Sequence, residues 1–554
     1  MDIGLKVLLT GVNASWTHSN LALYYLRTLI TDLSHEVHIL ELTLKQPVSE
    51  ALEIIYQAKP EVLCASVYIW NAEYWKQLIP EVRKLIPKVV IIAGGPEISF
   101  NQKSRDAVKP NILIEGCGEA AFRALAERNF ACSEKVITGE RMPLEQIPFP
   151  YTESDKARLH GKMIYYEASR GCACRCSYCL SARDEECEQL PVERVKTDLH
   201  KLIALQPKVI KLVDRSFNQN RKWARAIWQE VIKLETDIPF HFEVHPDWLE
   251  EEDFQLLSQA PQGRIQFEIG IQSVHPQTLR MANRKSDWNK VKMNLEALRM
   301  RTAIPLHTDL IVGLPKEGND EIRASVDAVL QTYPHELQLG FLKILAGTPL
   351  AEKASELGYI WSETAPYQVL QTSELEFDEI RLWEKIAQLI NQYWNTGDFS
   401  TVWRKAITWR EPVQCLFELL ELNLGEDRQL HPLSRIKRFE QMAKWLRANR
   451  SDFEQQYLLD ALNWDWCRKA EEAWYPDFLD GSVALQFRKR HYKAIKEWLQ
   501  NKYGQQSKLN CSRFIVFSAS SGEFSRDYLQ GSSNAVFASS RNSENIPVIL
   551  PSIF

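Results

Sequence analysis

Two runs of β–α alternation, separated by a proline-rich break, restrict the fold of this 554-residue chain more than any other feature. In the first run the apolar segments Lys6–Leu9, Val37–Leu40, Val62–Val67, Val89–Ala93 and Asn111–Ile114 alternate with amphipathic stretches such as Ser19–Leu33 and Ala72–Leu85. Short strands joined by helical crossovers predict an α/β, doubly wound, flavodoxin-like parallel sheet over residues 1–133. Periodicity is lost over 134–161, where Pro143, Pro148 and Pro150 mark a linker. It restarts near Ile164 and gives six further strand candidates: Ile164–Ala168, Val209–Val213, His241–Val244, Ile265–Ile269, Leu306–Val312 and Leu337–Ile344. Six β–α units over 162–364 predict a partial, TIM-like (β/α)6 barrel.

Both architectures place ligands at the carboxyl ends of their strands. In the first domain these ends lead into Gly11–Asn20, Ser66–Asn71, Gly94–Phe100 and Glu115–Glu119. The Gly94-Gly95 pair lets backbone approach a flat or bulky ligand, and Ser66 ends the third strand. No G-x-G-x-x-G follows the first strand, which argues against a dinucleotide site. A domain of this kind that binds nothing is the alternative.

The loop after the first barrel strand reads Ser169-Arg-Gly-Cys172-Ala-Cys174-Arg-Cys176-Ser-Tyr178-Cys179. Three thiolates spaced C-x-x-x-C-x-x-C can grip three corners of a cubane iron–sulfur cluster and leave the fourth iron open, whereas an electron-transfer cluster takes four cysteines. The competing reading, a structural zinc knuckle, needs a closed set of four ligands, and no second C-x-x-C pair accompanies this one. Cys174 is a small loop filler, a substitute ligand or a redox thiol. The remaining strand ends are polar: Asp214 after the second, Glu243 in the third, Gln272 and Ser273 after the fourth, and Arg284 in the helical segment beyond.

The cysteine loop, the string Glu268-Ile-Gly-Ile-Gln-Ser273 and the segment Asp309 to Pro315 together resemble the radical S-adenosylmethionine (SAM) superfamily. That resemblance implies a 4Fe-4S cluster on Cys172, Cys176 and Cys179, with SAM on its open iron. It also implies Tyr178 near the adenine, Asp214 at the SAM amino group in place of the usual G-G-E, Glu243 at the ribose and Arg284 at the carboxylate. Gln272 and Ser273 are further SAM contacts on the same basis. Each acidic or basic residue alone reads equally as a rim ion pair. The preceding sheet, through Gly94-Gly95, Ser66 and the Gly116–Glu119 turn, is similar to the cobalamin-binding domain of cobalamin-dependent radical SAM enzymes. His18 stands where some cobalamin domains carry D-x-H-x-x-G, without its aspartate and glycine. It reads as a cobalt ligand, a polar contact or a histidine at a helix start.

The resemblance implies methyl transfer to an unactivated carbon of a substrate that the sequence does not name. The alternatives are a cobalamin-linked radical oxidoreductase or cyclase without methyl transfer, and a non-enzymatic iron–sulfur sensor or scaffold. A one-electron donor such as flavodoxin or ferredoxin is the expected partner. The net charge of −5 does not indicate nucleic acid. No apolar run is long enough to span a membrane. Eleven cysteines, four of them between Cys172 and Cys179, fit a reducing cytoplasm rather than a disulfide framework. Tryptophans such as Trp383, Trp394, Trp403 and Trp445 fall in a helical pattern over 365–505 and either pack a core or form an aromatic substrate surface. The serine-rich stretch 506–554 reads as a disordered tail.

Overall fold

A computed structural model of the chain describes residues 4–183, 186–448, 451–469, 475–479, 482–503, 509–530, 532, 534–540 and 546–550. The chain divides into two compact units, Met1–Ile322 with Gly340–Ile380, and Arg323–Leu339 with Arg381–Phe554.

The first unit holds the first predicted β–α run and the second except for Arg323–Leu339. Its first sheet is parallel and six-stranded, in the order 2-1-3-4-5-6, from Lys6–Asn13, Glu36–Thr43, Val62–Ser66, Val90–Gly94, Ile112–Gly116 and Val136–Gly139. The central strands are apolar on both faces because helices cover both sides, and Val7, Leu9, Val62, Leu63 and Ile91 are fully buried. The sixth strand is a correction to the expected linker at 134–161. Val136–Gly139 is an edge strand with alternate residues exposed, so it lacks the apolar run that marks the inner strands. The strand order reverses between strands 1 and 3, which places the switch point over the loops that carry His18 and Tyr68.

The second sheet takes its strands in sequence order: Met163–Tyr166, Val209–Leu212, Phe240–Val244, Ile265–Gln272, Leu306–Val312 and Glu336–Phe341. This is the partial (β/α)6 barrel, with its first and last strands left as edges. Residues alternate about each strand. Ile164, Tyr166, Ile210 and Leu212 are buried toward the outer helices, where the Tyr166 hydroxyl donates to Asp198 at 2.9 Å. Tyr165, Lys211, His241, Glu243 and Glu268 take the opposite face, toward the lumen.

Loops at the carboxyl edge of the first sheet reach both sides of this barrel. The Met163 amide donates to the Thr17 carbonyl at 2.7 Å on the first barrel strand. Beyond the last strand, Tyr367 donates to Glu97 at 2.5 Å and accepts from Asn101 at 2.9 Å. Arg170, two residues before Cys172, pairs with Glu119 at 2.8 Å and with Glu167 at 2.7 Å. The first unit continues to Ile380 through a two-stranded ribbon, Ile360–Trp361 and Val369–Gln371, past the boundary expected at 364.

The second unit is mainly helical, with Ser400–Trp409, Pro412–Asn423, Arg435–Arg447, Asp452–Lys469 and Ser482–Tyr503. Its tryptophans pack a core: Trp394, Trp403 and Trp445 are buried and follow one another at ring spacings of 5.6 and 6.0 Å. The expected disordered tail is corrected as well. Leu509–Ser518, Asn534–Ser540 and Ile546–Ile549 form an antiparallel sheet, with Phe517 and Phe537 packed on Trp464. Among the described residues no helix is long and apolar enough to cross a membrane.

Candidate active site

The cysteine loop begins at Gly171, whose φ of +97° and crowding by the Glu186 carbonyl exclude any side chain. Backbone bonds fix the rest. The Ser177 amide donates to Ala282, its carbonyl accepts from Leu350, and Asn283 donates to the Arg175 carbonyl at 2.8 Å. Cys176 is buried, while Cys172 and Cys179 are partly open. Cys172 Sγ lies 3.6 Å from Ser216 Oγ, and Arg284 Nη1 donates to Cys176 Sγ at 3.7 Å. The Cys174 thiol beside Cys172 lowers the Cys172 thiol, and Arg284 adds to this, which favours the thiolate that ligation requires. Among the described residues no group of three or more His, Cys, Asp or Glu side chains is arranged around a single metal ion. Ligands of a cubane cluster each hold a different iron and need not converge on one point.

Beside the loop is a cavity of about 160 Å³. Glu243, Gln272 and Arg284, chosen from sequence, all line it. Arg215, Ser216, His245, Glu268 and Asp309 line it too and were not singled out as site residues. The missing signal was strand parity: Glu243 is in register with Glu268, Gly270 with Asp309, and His245 follows Glu243 by two. The wall is poor in internal partners. Gln272 Oε1, Arg284 Nε, Asp309 Oδ1 and both ring nitrogens of His245 are buried without a hydrogen bond. Burial holds His245 neutral, at about 3, so it offers one donor and one acceptor. Buried polar groups left open in this way fit a polar ligand such as SAM. Gln272 has a φ of +73° at a break in register beside Gly270, a strained bulge of the kind found next to active sites.

Arg284 joins two walls of the cavity, since it donates to the Gly270 carbonyl as well as to Cys176. Deeper in the lumen Lys211 Nζ lies 2.7 Å from Glu268 and 3.5 Å from Glu243, and His241 lies 2.8 Å from Glu268. Burial, together with the charges of Glu268 and Glu243, pushes Asp309 up to about 8. Its ordinary value is ~3.9, so the folded protein holds a proton there that the unfolded chain has lost. The stabilisation is full below the unfolded value and is lost as pH rises through about 8. Asp309→Asn is therefore expected to gain melting temperature relative to the parent between about pH 5 and about pH 9, and parallel melting profiles would contradict this.

Other expected contacts lie elsewhere. Asp214 is buried beside the first barrel strand, where one carboxylate oxygen accepts from the Ala168 amide at 3.3 Å and the other is buried without a hydrogen bond. Ser273 donates to Glu317 at 2.5 Å and accepts from the His275 amide, which makes it part of a buried turn. Tyr178 packs beside Cys176 and Arg284, and burial raises its phenol. In the first domain Gly95 has a φ of +111°, and a side chain there would strike the Val67 carbonyl. That glycine serves the packing of its loop against the loop after the third strand, whereas Gly94 is in ordinary contact distance only. The Ser66 carbonyl accepts from Asn71 and from the Trp75 indole. At the switch point Tyr68 stacks on Trp70 at 4.3 Å, and Trp70 and Trp16 stay 48% and 66% exposed. Aromatic faces presented at a strand-order reversal fit a flat, bulky ligand such as a corrin. The signal in sequence was a tryptophan in each of the two loops at that reversal.

Three families match the chain: a B12 binding domain over residues 8–126, the radical SAM superfamily over 166–329, and a protein of unknown function, DUF4080, over 355–529. The cobalamin-dependent radical SAM methyltransferase TokK of Streptomyces tokunonensis is 25% identical over 56% of this chain and 51% of its own length. The 2-(S-pantetheinyl)-carbapenam-3-carboxylate methyltransferase of Streptantibioticus cattleyicolor is 24% identical over 54% of this chain and 49% of its own. The chain thus spans about half the length of these relatives. Among solved structures, the cobalamin-dependent S-adenosylmethionine radical enzyme OxsB shares the fold with a TM-score of 0.58 at 15% identity, over 90% of this chain and 81% of that one. The methyltransferase TsrM from Kitasatospora setae, solved with cobalamin and a 4Fe-4S cluster, has a TM-score of 0.53 at 17% identity, over 66% and 76%.

Proposed function

We propose that this chain, in which a radical SAM superfamily domain follows a B12 binding domain, is a cobalamin-dependent methyltransferase acting on an unactivated carbon. The observation that carries the reading is one cavity with Arg284 on its wall, bonded to a cysteine of the loop, and with unpartnered polar atoms around it. When bound, the cluster and SAM supply a 5′-deoxyadenosyl radical and cobalamin supplies a transferable methyl group.

The chain's own residues bind, orient and shield. Cys172, Cys176 and Cys179 hold three irons. Arg284 fixes the loop against the fourth barrel strand and offers its charge to a carboxylate. Gln272 and Glu243 bind polar groups of SAM from the adjoining strand ends. Trp16, Tyr68 and Trp70 cover the corrin at the switch point. The bonds from Thr17 to Met163 and from Glu97 and Asn101 to Tyr367 tie the cobalamin-side loops to the barrel and exclude water from the space between. A cytoplasmic one-electron donor such as flavodoxin or ferredoxin supplies the electron.

Methyl-deuterated SAM tests this reading. With reduced, cluster-loaded and cobalamin-loaded protein, mass spectrometry is expected to find the deuterated methyl group in the corrinoid with S-adenosylhomocysteine as its coproduct, and 5′-deoxyadenosine with methionine from the reductive cleavage of a second SAM. Deoxyadenosine without label in the corrinoid would instead support radical chemistry without methyl transfer.

A further inference from the structure

His18 sits in the loop that leaves the first strand of the first sheet, where its carbonyl accepts from Asn13 at 3.1 Å while the rest of the residue reaches the first barrel strand. Its backbone bridges to Met163, and the Ser19 hydroxyl donates to the Met163 carbonyl at 3.3 Å. The imidazole goes with it. Nδ1 lies 2.6 Å from the Tyr165 hydroxyl, and the two rings are within 12° of parallel, with centroids 6.2 Å apart.

Tyr165 shows which space this is. Its neighbours Ile164 and Tyr166 are buried on the helix side of the strand, so Tyr165 takes the lumen side. Its register partner is Lys211, whose ammonium pairs with Glu268 and Glu243, and both carboxylates line the cavity. A side chain bonded to Tyr165 therefore lies at the open edge of the barrel, on its lumen side, next to the cavity rather than on its wall.

We infer that His18 is a substrate-side residue of the barrel lumen, held there by Tyr165, and not a ligand of cobalt. Burial and the charge of Lys211 both lower the histidine, so the ring is neutral near pH 7. With Nδ1 engaged by the phenol, Nε2 is the nitrogen offered to the lumen, where it suits a hydroxyl or amide of the substrate. The inference rests on the proposed reading that cobalamin occupies the switch point, and the test separates the two.

The first arm uses the full chain as isolated. Side-chain NMR of histidine-labelled protein, assigned with His18→Gln, follows the titration of His18. Lys211→Met is expected to raise its apparent pKa, because a nearby positive charge is removed. Tyr165→Phe is expected to shift the Nδ1 resonance, and it serves if Lys211→Met does not fold. A titration and resonance unchanged by both variants would overturn the lumen placement. The second arm loads the chain with cobalamin, reduces it to the Co(II) state and compares EPR spectra of natural-abundance and 15N-histidine protein. Identical superhyperfine patterns are expected. A pattern that changes with the isotope and disappears in His18→Gln would overturn the inference. A chain that takes up no corrinoid fails the reading of the first domain, and the first arm still decides where His18 points.

Discussion

Cys172→Ala, Cys176→Ala or Cys179→Ala is expected to abolish 5′-deoxyadenosine formation, because each thiolate holds a different corner of one cluster and two corners do not retain it. Cys174→Ala is the contrast. Its thiol lies 3.9 Å from Ser216 and beside Cys172, so it touches the ligand set without completing it. That variant should keep its iron and lose no more than about 10-fold in rate, the lower end of what removal of an outer neighbour of a metal ligand costs. Iron and sulfide analysis after anaerobic reconstitution, together with chromatography of the nucleoside product, reads both outcomes. Full activity in Cys176→Ala would remove the cluster from the loop.

The second large effect belongs to Arg284. This guanidinium contacts Cys176 and the Gly270 carbonyl and leaves Nε buried and open toward a ligand. Arg284→Met should lower deoxyadenosine formation by about 100-fold, the upper end for loss of an outer contact to a metal ligand. It should also make the cluster harder to reduce, since a positive charge and a hydrogen bond to a ligating sulfur both favour the reduced state. Arg284→Lys restores the charge but cannot bridge both partners, so it should recover the potential better than the rate. An EPR-monitored redox titration separates these effects. An unchanged potential in Arg284→Met would show that the contact with Cys176 does not act on the cluster.

Most of the barrel was legible because its strands obey alternation. Tyr165, Lys211, Glu243 and Glu268 face one way while apolar neighbours face the other, a parity that would have added Glu268 to the cavity beside Glu243, which its strand-end position and the resemblance had already marked. It failed one step beyond the strands. Asp214 and Ser273 follow strand ends where the chain turns, so parity no longer fixes direction: Ser273 bonds to Glu317 and the His275 amide, and Asp214 accepts from Ala168 with its other oxygen left open. Cys172, Cys176 and Cys179 were legible from spacing alone, since no tertiary contact is needed to read it.

Gly95 shows the opposite case, where a glycine suited to close ligand approach is demanded by the Val67 carbonyl of the neighbouring loop. The edge strand Val136–Gly139 and the C-terminal sheet were not legible for a common reason. Both present half-polar strands whose pairing partners decide their structure, and pairing is invisible to local composition. His18 was placed in the right loop, but the direction of its ring depends on Tyr165, far away in sequence.

The account's central claim is that one site faces two cofactors. The most direct measurement reduces protein loaded with both, so that the cluster and Co(II) cobalamin each carry an unpaired spin, and records the EPR spectrum against samples that hold either cofactor alone. The account predicts a spin-coupled spectrum that is not the sum of the two. A simple sum of the separate signals, from protein shown by analysis to hold both cofactors, would contradict it.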